Sequence, residues 1–204
     1  IAAMPIPEVL QGINAFTIGA RSIDPRIQVR VVWTNSWYDP GRERDAVQAV
    51  IAQKADLVTH HTDSPTVVQA AEEKGLYSIG YHSDMSRFAP KRHLVSVTHH
   101  WGNYYVSRVK ALLEGTWTVG SRMGSVADES IRLESISNQV PQQIQQLVAR
   151  RAREIAQAER HPFLGPVVDN QGRTRIAGDA VLDDDQLGKM DWLVEGVIGS
   201  GYTG

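Results

Sequence analysis

The sequence predicts an α/β protein organised around a parallel, right-handed βαβαβ unit. Three short runs, residues 29–33, 56–59 and 76–80, are rich in Val, Ile, Leu and aromatic residues, as strands buried on both faces require. Between them, residues 42–53 and 66–74 repeat apolar residues at helical spacing: Ala46, Val47, Val50 and Ile51 in one, Val67, Val68 and Ala71 in the other. Each strand-like run is followed by polar residues that open a helix-like segment. In open sheets of this kind ligands bind in the crevice beyond the carboxyl ends of the strands.

The remaining elements follow in order. Residues 1–4 are apolar with no polar lead-in, so they read as the inner part of a further strand and as a chain that starts inside a larger protein. Pro5-Ile6-Pro7 opens a helix, because proline is tolerated in a first turn whose N–H groups lack partners anyway. Ile6, Leu10, Ile13, Ala15, Phe16 and Ile18 mark its apolar positions, and residues 19–22 end it. Residues 93–98 form a fifth strand, and a helix over 101–114 offers Tyr104, Tyr105, Val106, Val109, Leu112 and Leu113 for burial. Residues 130–136 alternate as an edge strand does.

Residues 141–160 spell an amphipathic helix with Ile144, Leu147, Val148 and Ile155 on one face. Its arginines are interspersed with Glu154, Glu159 and several glutamines, which reads as a solvated face rather than a nucleic-acid surface. Asp169-Asn170-Gln171-Gly172 between two apolar runs signals a hairpin, residues 183–190 a short helix, and residues 191–204 a tail with a flexible ending.

Composition narrows the function. With 204 residues, 42% of them hydrophobic, the chain can bury a core of one domain or somewhat more. A net charge of −2 gives no sign of a nucleic-acid partner. No apolar run approaches the roughly 18 residues of a membrane span. The absence of cysteine removes disulfides, thiolate metal sites and a cysteine nucleophile.

Three loops at the strand ends hold the candidate site. They carry Asn35, Ser36, Trp37, Tyr38 and Asp39; then His60, His61, Thr62, Asp63 and Ser64; then Tyr81, His82, Ser83 and Asp84. Aromatic plates, hydroxyls and carboxylates on one rim suit a flat, polar, uncharged or cationic small molecule. Asp39 and Asp63 could instead cap helices opening at Pro40 and Pro65. The doublets His60-His61 and His99-His100 do not make a metal site, because adjacent strand residues point to opposite faces. No GxSxG elbow, GxGxxG or GxxxxGK[ST] occurs, so neither a catalytic serine nor a phosphate cradle is expected, and no cofactor. Of the five tryptophans, Trp33, Trp117 and Trp192 read as packing residues, which leaves Trp37 and Trp101 as ring surfaces for a ligand.

At NSWYDP, THHTDSP, GLYSIGYHSDM, HPFLGP and MDWLVEGV the sequence resembles the BMP family of bacterial solute-binding proteins, related to the purine-nucleoside receptors of ABC importers. The resemblance runs over essentially the whole chain. It implies a type I periplasmic-binding-protein fold, with two Rossmann-like lobes joined by a three-segment hinge. Residues 1–96 then correspond to the C-terminal lobe, 97–136 to a crossing toward the N-terminal lobe, and 137–204 to a helix, hairpin and tail completing the lobes. It further implies an extracytoplasmic location, a permease partner, and membrane attachment only through a lipid anchor on a preceding segment. Trp37 or Tyr38 falls where such receptors present a ring, and Thr62 and Asp63 where they offer polar contacts. His82 departs from the aspartate that grips ribose hydroxyls in many relatives, while Asp84 keeps the second acidic position. That exchange favours a free purine base such as adenine, with His100 and Trp101 completing the expected ligand set. Two rivals remain open: a doubly wound enzyme of nucleoside metabolism using His82 or Asp84, and a ligand-sensing regulator on the same fold.

Overall fold

A computed structural model describes residues 1–199 of the chain. Its elements are α1 (Pro7–Arg21), β1 (Val29–Arg30), α2 (Pro40–Ala52), β2 (Leu57–Thr59), α3 (Thr66–Lys74), β3 (Tyr77–His82), β4 (His93–His99), α4 (Gly102–Leu113), β5 (Ile131–Glu134), α5 (Gln142–Ala156), β6 (Val167–Val168), β7 (Thr174–Ile176), α6 (Asp184–Gly188) and β8 (Val197–Ile198). Strands β2, β3 and β4 are parallel neighbours, and β5 adds an antiparallel edge to β4. The first residues lie between the outer strand and β2: Ala2 bridges Trp33 on one side and His61 on the other, both in parallel. The backbone therefore runs β8, β1, residues 1–3, β2, β3, β4, β5 across the sheet. The order changes direction beside residues 1–3, the place where open α/β sheets part their loops for a ligand.

The expected βαβαβ unit is present, and its helices form for the reasons the spacing gives. Asp39 caps α2 by accepting from Arg42 N at 3.0 Å, with Pro40 in the first turn. Gly75, at φ 75°, ends α3 in the left-handed conformation that glycine adopts without penalty. Val47, Val67 and Val68 are fully buried, each contributing about 1.5–3 kcal/mol of transfer free energy. Together with Val50, Val58, Ala70, Ala71 and Leu76, Val47 and Val67 form one core on one face of the sheet.

A second core lies around α1. Leu10 packs with Phe163, Val167, Ile176, Met190, Trp192, Leu193, Val194 and Val197. Asn14, fully buried, ties the two parts by donating to Trp192 O at 2.9 Å and accepting from Val194 N at 2.8 Å. The expected hairpin forms as β6 and β7, with Gly172 at φ 81° in its turn. Its buried Asp169 accepts from Gln171 N, Arg173 N and the Nε atoms of Arg173 and Arg175, all within 2.9 Å.

Several expectations need correction. The strand over 29–33 forms a ladder only at Val29–Arg30, and its partner β8 lies in the stretch read as tail. The flexible ending expected of the tail falls at residues 200–204, outside the described residues. Trp192 is core, but Trp117 is exposed. No residue of α4 is buried: Tyr105, Val106, Val109, Leu112 and Leu113 all face outward from the described chain. The sheet face formed by β2 to β4 also remains half-open. A groove of about 770 Å³ runs between it and α1, lined by Ile13, Phe16, Thr59, Ile79 and Val97 and ending at His61 and Tyr81.

Candidate functional site

The loop after β1 and the loop after β2 are locked together from beneath. Asp63 N donates to Trp37 O at 2.7 Å, joining the two backbones. Glu43, on the first turn of α2 and fully buried, accepts through Oε2 from Thr62 Oγ1 at 3.1 Å and Ser64 Oγ at 2.6 Å. Its Oε1 accepts from Asp39 N at 3.2 Å. A buried carboxylate that accepts from three donors on two loops is how a helix start can hold those loops in register. Asp39 is accordingly a cap, whereas Asp63 is not: Ser64 Oγ accepts from Thr66 N at the start of α3.

On this base stands a chain of rings. Trp37 and His61 have centroids 5.9 Å apart, His61 and Tyr81 4.5 Å, Tyr81 and His99 5.1 Å. Strand parity explains their meeting. By the ladder registers His61, Tyr81 and His99 fall on the same sheet face, one on each of three adjacent strands or strand ends. His82 follows Tyr81 and by parity belongs to the other face. Its φ of 69° puts it in the left-handed region instead, so its ring lies 4.3 Å from that of Tyr81 and 5.0 Å from that of His99. A left-handed non-glycine residue costs on the order of 1 kcal/mol, and such residues cluster at functional sites.

The electrostatics of the cluster favour uncharged rings. Burial pushes the His61 imidazole down to about 4 and the Tyr81 phenol up to about 12. Burial also lowers His82, as does repulsion from His99, against the attraction of Asp63. His99 is lowered by burial against the attraction of Glu8. Two carboxylates border the rings: Asp63 Oδ1 stands 3.4 Å from His82 Nε2, and Glu8 Oε1 3.9 Å from His61 Nε2. The buried Nε2 atoms of His61 and His82 have no hydrogen-bond partner. Neutral π-faces, unpaired ring nitrogens and peripheral acids can stack and hydrogen-bond a planar polar molecule.

Of the residues singled out from sequence, Trp37, Asp63 and His82 come together here. Thr62 is buried beneath the rim with its hydroxyl on Glu43, so it supports the loop. Tyr38, 65% exposed, stands on the same loop as Trp37. Asp84 does not reach His82: it accepts from Ser86 N at 2.9 Å and Ser135 Oγ at 2.6 Å. His82 and Asp84 therefore do not form an acid–base pair. His100 lies where β4 meets β5, with its Nε2 3.0 Å from Thr98 Oγ1 and 3.2 Å from Glu134. Trp101 contacts only Tyr104 and Tyr105 among the rings of the described residues. Sequence reasoning placed His61 and Tyr81 on the rim loops but left them and His99 out of the expected ligand set; counting strand parity on from Thr59, Ile79 and Val97 puts the three on one face. Among the described residues no group of three or more His, Cys, Asp or Glu is arranged to hold a metal ion.

Comparison with known proteins shows the family of the chain. The family described as Bmp, ABC transporter substrate-binding protein PnrA-like, matches residues 1–159. A purine-binding protein of Brucella abortus is 38% identical over 97% of this chain and 56% of its own length. A putative ABC transporter glucose-binding protein of Haloferax volcanii is 31% identical over 98% of the chain and 48% of its own length. The chain thus spans about half the length of these relatives. A solved ABC transporter solute-binding protein from Conexibacter woesei superposes with a TM-score of 0.62 at 21% identity, over 78% of this chain and 54% of that one. Its fold is the α/β architecture expected from sequence. On these matches the chain belongs to the Bmp family of PnrA-like ABC transporter substrate-binding proteins, which are transport components and not enzymes.

Proposed function

We propose that the chain forms one jaw of an extracytoplasmic receptor that captures a purine base or nucleoside, adenine-like, for an ABC importer. The observation that carries this reading is the ring cluster of Trp37, His61, Tyr81, His82 and His99 at the carboxyl ends of adjacent strands, bordered by Asp63. Planar rings stack on planar rings, worth about 0.5–1.5 kcal/mol beyond the area they bury. Unpaired imidazole nitrogens match the edge of a heterocycle. The Brucella abortus relative's name supports a purine, and the Haloferax volcanii relative's name a sugar. A sugar diol is gripped best by a carboxylate, and position 82 holds an imidazole.

The opposite jaw belongs to a second lobe. Residues 97–136 leave the sheet as α4 and return as β5, and α4 carries the uncovered apolar face on which that lobe packs. Ligand bound between the lobes closes the hinge and so signals the permease. Calorimetry on the full-length protein with adenine, adenosine, ribose and glucose tests the reading. Stoichiometric binding of adenine or adenosine is expected, and binding of ribose or glucose alone would reject it.

A further inference from the structure

We infer that Asp63 fixes the tautomers of His82 and His99, so that the site presents the Nε2 of His99 as a bare acceptor and selects a neutral purine whose 6-substituent donates an N–H. The inference rests on the nucleobase reading above. Its starting point is an unusual contact: His82 Nδ1 and His99 Nδ1 are 3.1 Å apart. Two ring nitrogens at that distance hold a single proton between them, because one must donate and the other accept.

Which ring donates follows from the far side of His82. Asp63 Oδ1 stands 3.4 Å from His82 Nε2, and that nitrogen is buried with no hydrogen-bond partner. A carboxylate only accepts, so it favours the tautomer with the proton on Nε2. A neutral imidazole has one N–H, which leaves Nδ1 of His82 as an acceptor. The shared proton therefore sits on Nδ1 of His99, and Nε2 of His99 is left with a lone pair. Burial supports the neutral form of both rings, His82 and His99 each being held below the usual histidine range.

The other groups facing the pair leave this order intact. Glu8 attracts a proton on His99 but has no contact with it inside 4 Å, and its nearest ring is His61 at 3.9 Å. His61 and His100, the neighbouring imidazoles, oppose further protonation of the pair. The left-handed backbone of His82, φ 69°, is what brings its Nδ1 to His99. No hydrogen bond among the described residues occupies Nε2 of His99. A ligand edge placed there must donate, as the amino group of adenine does. Where the 6-substituent meets this nitrogen, the carbonyl of hypoxanthine sets acceptor against acceptor unless the base turns to offer N1–H and gives up that pose, and an unpaired buried acceptor is disfavoured about tenfold or more.

The test reads tautomers and selectivity separately, in the full-length protein. Two-bond ¹H–¹⁵N spectra of ring-labelled histidine at neutral pH, without ligand, should show His82 protonated at Nε2 and His99 at Nδ1. The reverse tautomers, or a doubly protonated ring, would overturn the inference whatever the protein binds. Calorimetry should then give adenine an advantage over hypoxanthine of about tenfold or more. His99→Phe keeps a ring against Tyr81 and should erase that advantage. Asp63→Asn, at an exposed position, should mix the His82 tautomers and shrink it. Equal binding of the two bases by the wild type, or an advantage that survives both substitutions, would overturn the inference while leaving purine capture intact. If neither base nor adenosine binds although the tautomers are as assigned, the purine reading fails, and the selectivity with it.

Discussion

Replacing Glu43 by alanine should damage the protein more than any exposed change at the rim. The carboxylate holds three donors: Thr62 Oγ1 at 3.1 Å, Ser64 Oγ at 2.6 Å and Asp39 N at 3.2 Å. In Glu43→Ala, Ser64 keeps its bond to Thr66 Oγ1 at 2.9 Å, whereas Thr62 and Asp39 N lose this partner. With about 1–3 kcal/mol for each stranded donor, the expected loss is about 3–5 kcal/mol. Glu43→Gln separates the terms. Its amide oxygen can still accept both hydroxyls, but its NH₂ meets Asp39 N donor to donor, so about 1–3 kcal/mol should be lost. Urea denaturation of the three proteins measures the differences through the midpoint at constant slope. Because Thr62 and Asp63 adjoin on one loop and Asp63 N holds Trp37 O, ligand affinity should fall in the same order. An alanine variant within about 0.5 kcal/mol of wild type would refute the role given to Glu43, since that is the range of a surface substitution.

Three further outcomes are expected. His60 and His61 are held down by burial, to about 3 and about 4, so below pH 6.5 the unfolded chain binds more protons than the folded one. Stability should therefore fall as pH drops from 6.5 toward 4, on the order of 3 kcal/mol from His61 alone; urea midpoints that stay flat over this window would contradict it, and His61→Phe should flatten the slope. Gly80→Ala should cost about 1–3 kcal/mol in thermal or urea unfolding, because its Cβ would enter the space of Ser96 Oγ and come within 2.7 Å of Met85 Cβ. Val109→Asp on α4 should destabilise the full-length protein by about 3 kcal/mol or more, as an unpaired charge pressed into an apolar interface does. A change within about 0.5 kcal/mol in chemical denaturation would mean that α4 simply faces water.

What the sequence made legible was what local pattern encodes. Ala46, Val47 and Val50 announced the buried face of α2, and residues 76–80 announced β3, because period and composition act over a few neighbours. β8 was illegible: two residues, Val197 and Ile198, pair with Val29 and Arg30 from the far end of the chain, and no local signal encodes such a distant ladder. In the candidate site, residue type at strand ends singled out Trp37, Asp63 and His82, which the structure brings near one another. Thr62 was misplaced because a hydroxyl on a loop reads the same whether it faces a ligand or a buried Glu43. His82 joined Tyr81 and His99 only through a positive φ, which the side-chain period cannot anticipate.

The distribution of restraint bears on how such a jaw would work. The loops that carry Trp37 and Asp63 are braced by Glu43 and by their own backbone bond, so ordering them at binding costs little and affinity is not spent on it. The rings on β3 and β4 stand on parallel strands in register from Ile79 to His82. In a receptor of the kind proposed, adaptation would fall to the place where the chain departs from the sheet after β4 and returns as β5. There His100 N donates to Ser130 O at 2.8 Å, and the His100 ring stands between Thr98 and Glu134. A rigid half-site adjoining a crossing of two strands lets a ligand be read by fixed groups while the motion occurs beside it. That separation would suit a receptor whose output is closure, with His100 placed beside the strand pair β4–β5.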